Sequence, residues 1–144
     1  MATFKDYLEN NSPLILHGAL GTEMEALGYD ISGKLWSAKY LLEKPEVIQE
    51  IHEIYVAAGA DLITTSSYQA TLPGLVEAGL TEKAAEQIIA LTVQLAKAAR
   101  DKVWGALDET EKAKRPYPLI SGDVGPYAAY LANGSEYSGD YGQI

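Results

Sequence analysis

Three short apolar runs constrain this chain most: Leu14-Ile15-Leu16, Leu62-Ile63-Thr64-Thr65 and Leu119-Ile120-Ser121. Each is short for a helix, the second is rich in β-branched residues, and each gives way to small or polar residues. Helical patterns fill the intervals between them. Strands alternating with helices imply parallel pairing through right-handed crossovers. That plan suits both a (β/α)8 barrel and a doubly wound sheet, and both place their chemistry at the C-terminal ends of the strands. Three strands cannot close a barrel, which takes about 250 residues. The expectation is therefore an α/β fold, the N-terminal portion of a (β/α)8 TIM barrel, with residues 1–144 as a single partial domain.

The helical expectations follow from spacing and punctuation. Phe4, Tyr7 and Leu8 predict a helix over 3–10, and Thr22 to Leu27 a second, with Gly28 as its C′ residue. Trp36 to Leu42 reads as helical. Pro45 fits the first position of the next helix, where Val47, Ile48, Ile51, Ile54, Tyr55 and Ala58 make one apolar stripe. Thr71 to Ala78 reads as a short helix. Thr81 reads as the N-cap of a long helix buried through Ala84, Ala85, Ile88, Leu91, Leu95 and Ala98. That helix runs to about Trp104, and 108–114 extends it. No regular element is expected in 122–144, and Leu14 to Leu16 is expected to be buried on both faces.

Composition narrows the function. Eleven basic and twenty acidic residues give a formal charge of −9, which disfavours nucleic acid, since such binding needs Lys and Arg to displace counterions. No stretch approaches the roughly 20 apolar residues of a membrane helix. Residues 1–10 lack the apolar core of a secretory signal. With no cysteine in 144 residues, disulfides and thiolate metal sites within the chain are excluded, and a cytoplasmic address is the default.

Three segments could carry chemistry. His17-Gly18-Ala19-Leu20-Gly21-Thr22-Glu23 lies where a strand passes into a helix; small residues there let a ligand approach the backbone, though a tight turn needs glycine too. Thr64-Thr65-Ser66-Ser67-Tyr68-Gln69 offers hydroxyls and an amide for a polar substrate, or for capping the next helix. Gly122-Asp123-Val124-Gly125-Pro126-Tyr127 suggests a pocket wall or a Gly-Pro turn, and by fold analogy a phosphate cradle. Asp123 and Glu23 could form an acid/base pair across a barrel mouth. His17 is well placed at a strand tip. His52 is expected to face solvent, and the tyrosines at 127, 130, 137 and 141 to pack a loop. HExxH and GxSxG patterns are absent, which disfavours a self-contained zinc site and a serine hydrolase.

In order along the chain, these segments resemble the N-terminal half of a homocysteine S-methyltransferase, closest to the bacterial type that uses S-methylmethionine. The resemblance is carried by His17 to Glu23, Leu35-Trp36-Ser37-Ala38, Ala58-Gly59-Ala60-Asp61, Thr65 to Thr71, Gly122 to Tyr127, Ala129 to Tyr137 and Gly139-Asp140-Tyr141. It implies a barrel that transfers a methyl group from a sulfonium donor, S-methylmethionine or S-adenosylmethionine, to homocysteine to form methionine. It implies Gly18 and Gln69, with Tyr68 beside it, in the homocysteine pocket, and Asp123 where related chains often carry a small polar residue. The family usually has Asp where this chain has His17, at the amino group of homocysteine; Glu23 nearby is the candidate to compensate.

The resemblance also implies a zinc ion held by three cysteines from the later half of the barrel, one pair within Gly-Gly-Cys-Cys. None is present here, so the chain alone is expected to be inactive. The alternative is a non-catalytic half-barrel whose free strand edges drive association of copies or binding of a partner.

Overall fold

A computed structural model describes residues 3–9, 13–32, 36–131 and 133–142. Helix α1 is Phe4–Glu9 and α2 is Leu20–Ala26; a 3-10 turn at Trp36–Ala38 leads into α3, Lys39–Glu43. Next come α4 (Pro45–Ala57), β1 (Leu62–Thr64), α5 (Leu72–Glu77), α6 (Glu82–Ala106), α7 (Glu109–Lys112), β2 (Leu119–Ser121), α8 (Tyr127–Leu131) and α9 (Ser135–Ser138). Strands β1 and β2 run parallel, with Leu62 opposite Leu119, Ile63 opposite Ile120 and Thr64 opposite Ser121.

The first apolar run is a reduced strand. Leu16 bridges Leu62 in parallel, and the His17 amide donates to the Leu62 carbonyl at 2.8 Å. The Ile15 carbonyl accepts from the amides of Asp61 and Leu62. The run thus pairs with β1 along one edge, and the spatial order follows the chain order. Burial on both faces does not occur: Ile15 and Leu16 are each 58% exposed. Strands of this type are covered by neighbours on every side, and among the described residues only β1 contributes one.

Punctuation worked where it was local. Gly28, Gly59 and Gly79 take positive φ after α2, α4 and α5. Around each, the glycine amide and the following amide donate back into the last helical turn, so the final carbonyls are paired. Thr71 and Thr81 cap α5 and α6 by accepting the amides of Gly74 and Ala84, both at 3.2 Å. Residues 109–112 do not extend α6. Leu107 is extended, and Asp108 starts a separate helix by a reciprocal capping box with Glu111. Two short helices, α8 and α9, form where no regular element was expected.

Helix α4 packs along α6. Met24, Leu41, Ile48, Ile51 and Leu75 are essentially inaccessible and centre one cluster; Val56, Ala60, Ile63 and Ala96 form a second beneath the strands. Each large side chain so buried contributes about 1.5–3 kcal/mol of transfer free energy. The expected faces are largely the buried ones and depart from expectation at Ile54, Ala58 and Ala98, which are exposed. On α4 the buried set is Val47, Ile48, Ile51, His52 and Val56, while Ile54 is 37% exposed. On α6 it is Ala85, Thr92, Leu95, Ala96 and Ala99, mostly small side chains that suit close helix contact, and Ala98 is exposed. Thr92 satisfies its hydroxyl on the Ile89 carbonyl at 2.7 Å. At the far end of the strands, Tyr7 of α1 is buried and donates to the Tyr117 carbonyl. Among the described residues no helix is long and apolar enough to cross a membrane.

Candidate functional site

The C-terminal tips of the three parallel segments converge on one cavity of about 780 Å³. From the first tip come Leu16, His17, Gly18 and the start of α2; from β1 come Thr64, Thr65, Ser66, Tyr68 and Gln69; from β2 comes Asp123. Tyr137 stands at the rim, 89% exposed. Five of the six sequence-derived candidates, His17, Gly18, Tyr68, Gln69 and Asp123, therefore share one wall. Glu23 does not line it; Thr22 and Glu25 of α2 do. The Glu23 carboxylate instead acts on Tyr55, whose phenol is raised by burial and then by that charge. Glu23 and Asp123 are thus not a facing acid/base pair.

Close packing fixes the first tip. A Cβ on Gly18 would lie 2.5–2.7 Å from the ring and hydroxyl of Tyr55. A side chain there would have to displace the Tyr55 ring, so glycine lets the ring pack against the first tip. The Tyr55 hydroxyl donates to the Ala19 carbonyl at 3.1 Å, and its ring lies 4.3 Å from that of His17.

A closed ring of hydrogen bonds fixes the second and third tips to each other. The Asp123 amide donates to Thr65 Oγ1 at 2.9 Å, and Ser67 Oγ donates to the Asp123 carbonyl at 2.6 Å. Thr65 Oγ1 lies 2.7 Å from Ser67 Oγ, so the Thr65 proton must point to Ser67. Beside this ring, a Cβ on Gly125 would lie 2.3 Å from the Tyr68 carbonyl oxygen, so glycine lets the two loops touch. The Asp123 carboxyl is raised by burial. The hydroxyls of Thr65 and Ser67 therefore serve the architecture of the wall, whereas Ser66 Oγ is buried and has no hydrogen-bond partner in the protein.

The residue that sequence reasoning misplaced is His52. It is fully buried on α4, lines the cavity, and sets its Nδ1 2.9 Å from His17 Nε2. Burial lowers His17 to about 4, a shift that a backbone contact with Gly18 partly opposes. Burial and the neighbouring His17 lower His52 to about 3. Both rings are neutral near pH 7. The missed signal was spacing: Ile48, His52 and Val56 fall at i, i+4 and i+8, one stripe of the helix. The tyrosines expected to pack together divide. Tyr130 donates to Glu77 and lies near Tyr127, while Tyr137 borders the cavity.

The donor set does not suit a zinc ion. No cysteine exists, no group of three or more His, Asp or Glu side chains comes together among the described residues, and each histidine commits a nitrogen to the other.

Parallel strands with helical crossovers and a pocket at the strand tips define an α/β fragment of (β/α)8 type. The chain belongs to the homocysteine S-methyltransferase family, whose pattern matches residues 14–144. It is 44% identical over 141 residues to homocysteine S-methyltransferase YbgG of Bacillus subtilis, covering 98% of this chain and 44% of that protein. It is 45% identical over 134 residues to the Escherichia coli homocysteine S-methyltransferase, covering 93% of this chain and 42% of that one. The crystal structure of the E. coli homocysteine methyltransferase MmuM in its metallated form superposes with a TM-score of 0.76 at 43% identity, over 96% of this chain and 46% of that chain. The chain thus spans less than half the length of these relatives.

Proposed function

We propose that this chain supplies the homocysteine-facing wall of a methyltransferase that moves a methyl group from a sulfonium donor to homocysteine, giving methionine. The observation that carries the proposal is the convergence of His17, Gly18, Tyr68, Gln69 and Asp123 on one cavity at the strand tips of a family member. In the reaction, the homocysteine thiol releases its proton to solvent and its sulfur attacks the methyl carbon. The new S–CH3 bond forms as the donor's S–CH3 bond breaks, and that electron pair leaves on a neutral thioether. Opposite charges annihilate in the transition state, so a largely apolar cavity does not oppose the step, and positioning supplies much of the rate. Gln69 offers both a donor and an acceptor for the amino-acid end of the substrate. Asp123 and Glu25 are the acidic side chains that line the cavity and would attract a cationic sulfonium or ammonium. S-methylmethionine is the donor favoured by the resemblance, and the cytoplasm the setting.

The zinc ion that the family resemblance implies would supply a lowered thiol pKa. This chain's residues do not fit that ion, and no step here runs through it. The proposal therefore separates binding from turnover. L-homocysteine titrated into 15N-labelled protein should shift the resonances of His17, Gln69 and Asp123. Methyl transfer from S-methylmethionine by this chain alone should stay at background. Homocysteine shifts confined to residues outside the cavity would remove the reading.

A second reading is a non-catalytic half-barrel that associates through its open edge. The exposure of Ile15 and Leu16 on the first segment favours it.

A further inference from the structure

The His17–His52 contact has a chemical asymmetry. Two neutral imidazoles joined Nε2 to Nδ1 hold one proton between them, and either ring can be its owner. If His17 donates, His52 carries its own proton on Nε2. That atom is buried and has no partner in the protein, so the result is an orphaned N–H. If His52 donates through Nδ1, its Nε2 is a bare lone pair. Buried N–H groups without partners are rarer than buried acceptors without them. The second arrangement is therefore the stable one, and it leaves the His17 proton on Nδ1. His17 Nδ1 lies 3.5 Å from Thr64 Oγ1, and Thr64 lines the cavity.

We propose that His52 is a positioning residue that donates its Nδ1 proton to His17 and thereby fixes His17 as the Nδ1–H tautomer, a neutral hydrogen-bond donor at the tip of the first strand. Tyr55 holds the same ring from its other side, with its centroid 4.3 Å away. Such a tip favours an oxygen acceptor on a ligand, a carboxylate or carbonyl, over an ammonium group. The inference goes beyond the proposed methyl transfer: it concerns ring protonation and is read without turnover.

The test is 15N-resolved imidazole NMR on the 144-residue protein at pH 7. The expected result is protonated-type Nδ1 and bare-type Nε2 on both rings. A His17 ring protonated on Nε2 would overturn the proposal outright. Two variants separate positioning from packing. His52→Asn keeps an N–H close to the Nδ1 position and should preserve the His17 tautomer. His52→Leu fills similar space without a donor and should shift His17 to a mixture containing the Nε2–H form. A Leu variant that holds the Nδ1–H form as fully as the Asn variant would refute the role. If the Leu variant does not fold, the wild-type assignment and the Asn variant still decide the matter.

Discussion

At the level of single residues, the chemistry of this protein is set by where two histidines were placed. Neither has a charged partner, and burial penalises the imidazolium form. Their titration then controls stability over a defined range. In the unfolded chain both rings titrate near 6.5; in the fold they titrate near 4 and 3. Between these values the unfolded chain binds more protons, so stability must fall as pH falls from about 6.5 toward 4. With two rings involved, the slope approaches about 2–3 kcal/mol per pH unit. Asp30 and Asp101, both lowered, act in the same direction but below their ordinary value of 3.8, and the raised Asp123 opposes weakly. Urea unfolding at stepped pH should show the decline beginning near 6.5. A flat profile from pH 7 to 4.5 would show that the rings are not buried as a neutral pair.

Among elements, the strands are short and the loops between their tips carry the order. The three-bond ring through Thr65, Ser67 and Asp123 spans loops separated by more than fifty residues of chain. Thr65→Val keeps the shape and removes two of the three bonds, leaving the Asp123 amide unpaired. It should cost about 1–3 kcal/mol in denaturant unfolding and speed amide exchange at Asp123. Unchanged exchange there would mean that Gly125 packing against Tyr68 is sufficient alone. The Thr81 cap and the glycine turns were legible beforehand, because they depend on neighbours within four residues, but the Asp108 capping box was not. Most of the inner faces of α4 and α6 was legible too, but not every member. Counting apolar residues selected Ile54 and Ala98, whereas contact between the two helices selected Val56, Thr92, Ala96 and Ala99.

Across the whole molecule, the parallel sheet is open, and among the described residues neither of its outer strands has a further strand partner. Ile15 and Leu16, each 58% exposed, sit on the segment whose pairing is limited to a single bridge among the described residues. Exposed apolar strand edges drive association. Sedimentation of the 144-residue protein should therefore show concentration-dependent self-association, and Leu16→Lys should reduce it. Monomeric behaviour of the wild type at high concentration would count against the open edge as an interface.

The residues by themselves determined the alternation of strand and helix, the parallel sense, the Thr81 cap, the glycine turns and the three tip motifs. All of these rest on local sterics, on hydrogen-bond accounting and on the twist of a single chain. Only the folded molecule decided that His52 meets His17, that Glu23 turns to Tyr55 rather than the cavity, and that the hydroxyls of Thr65 and Ser67 hold Asp123. Those outcomes depend on the rotation of one helix against another and on which loops touch. Such packing angles are set by side chains far apart in the chain, so no window of neighbouring residues contains them.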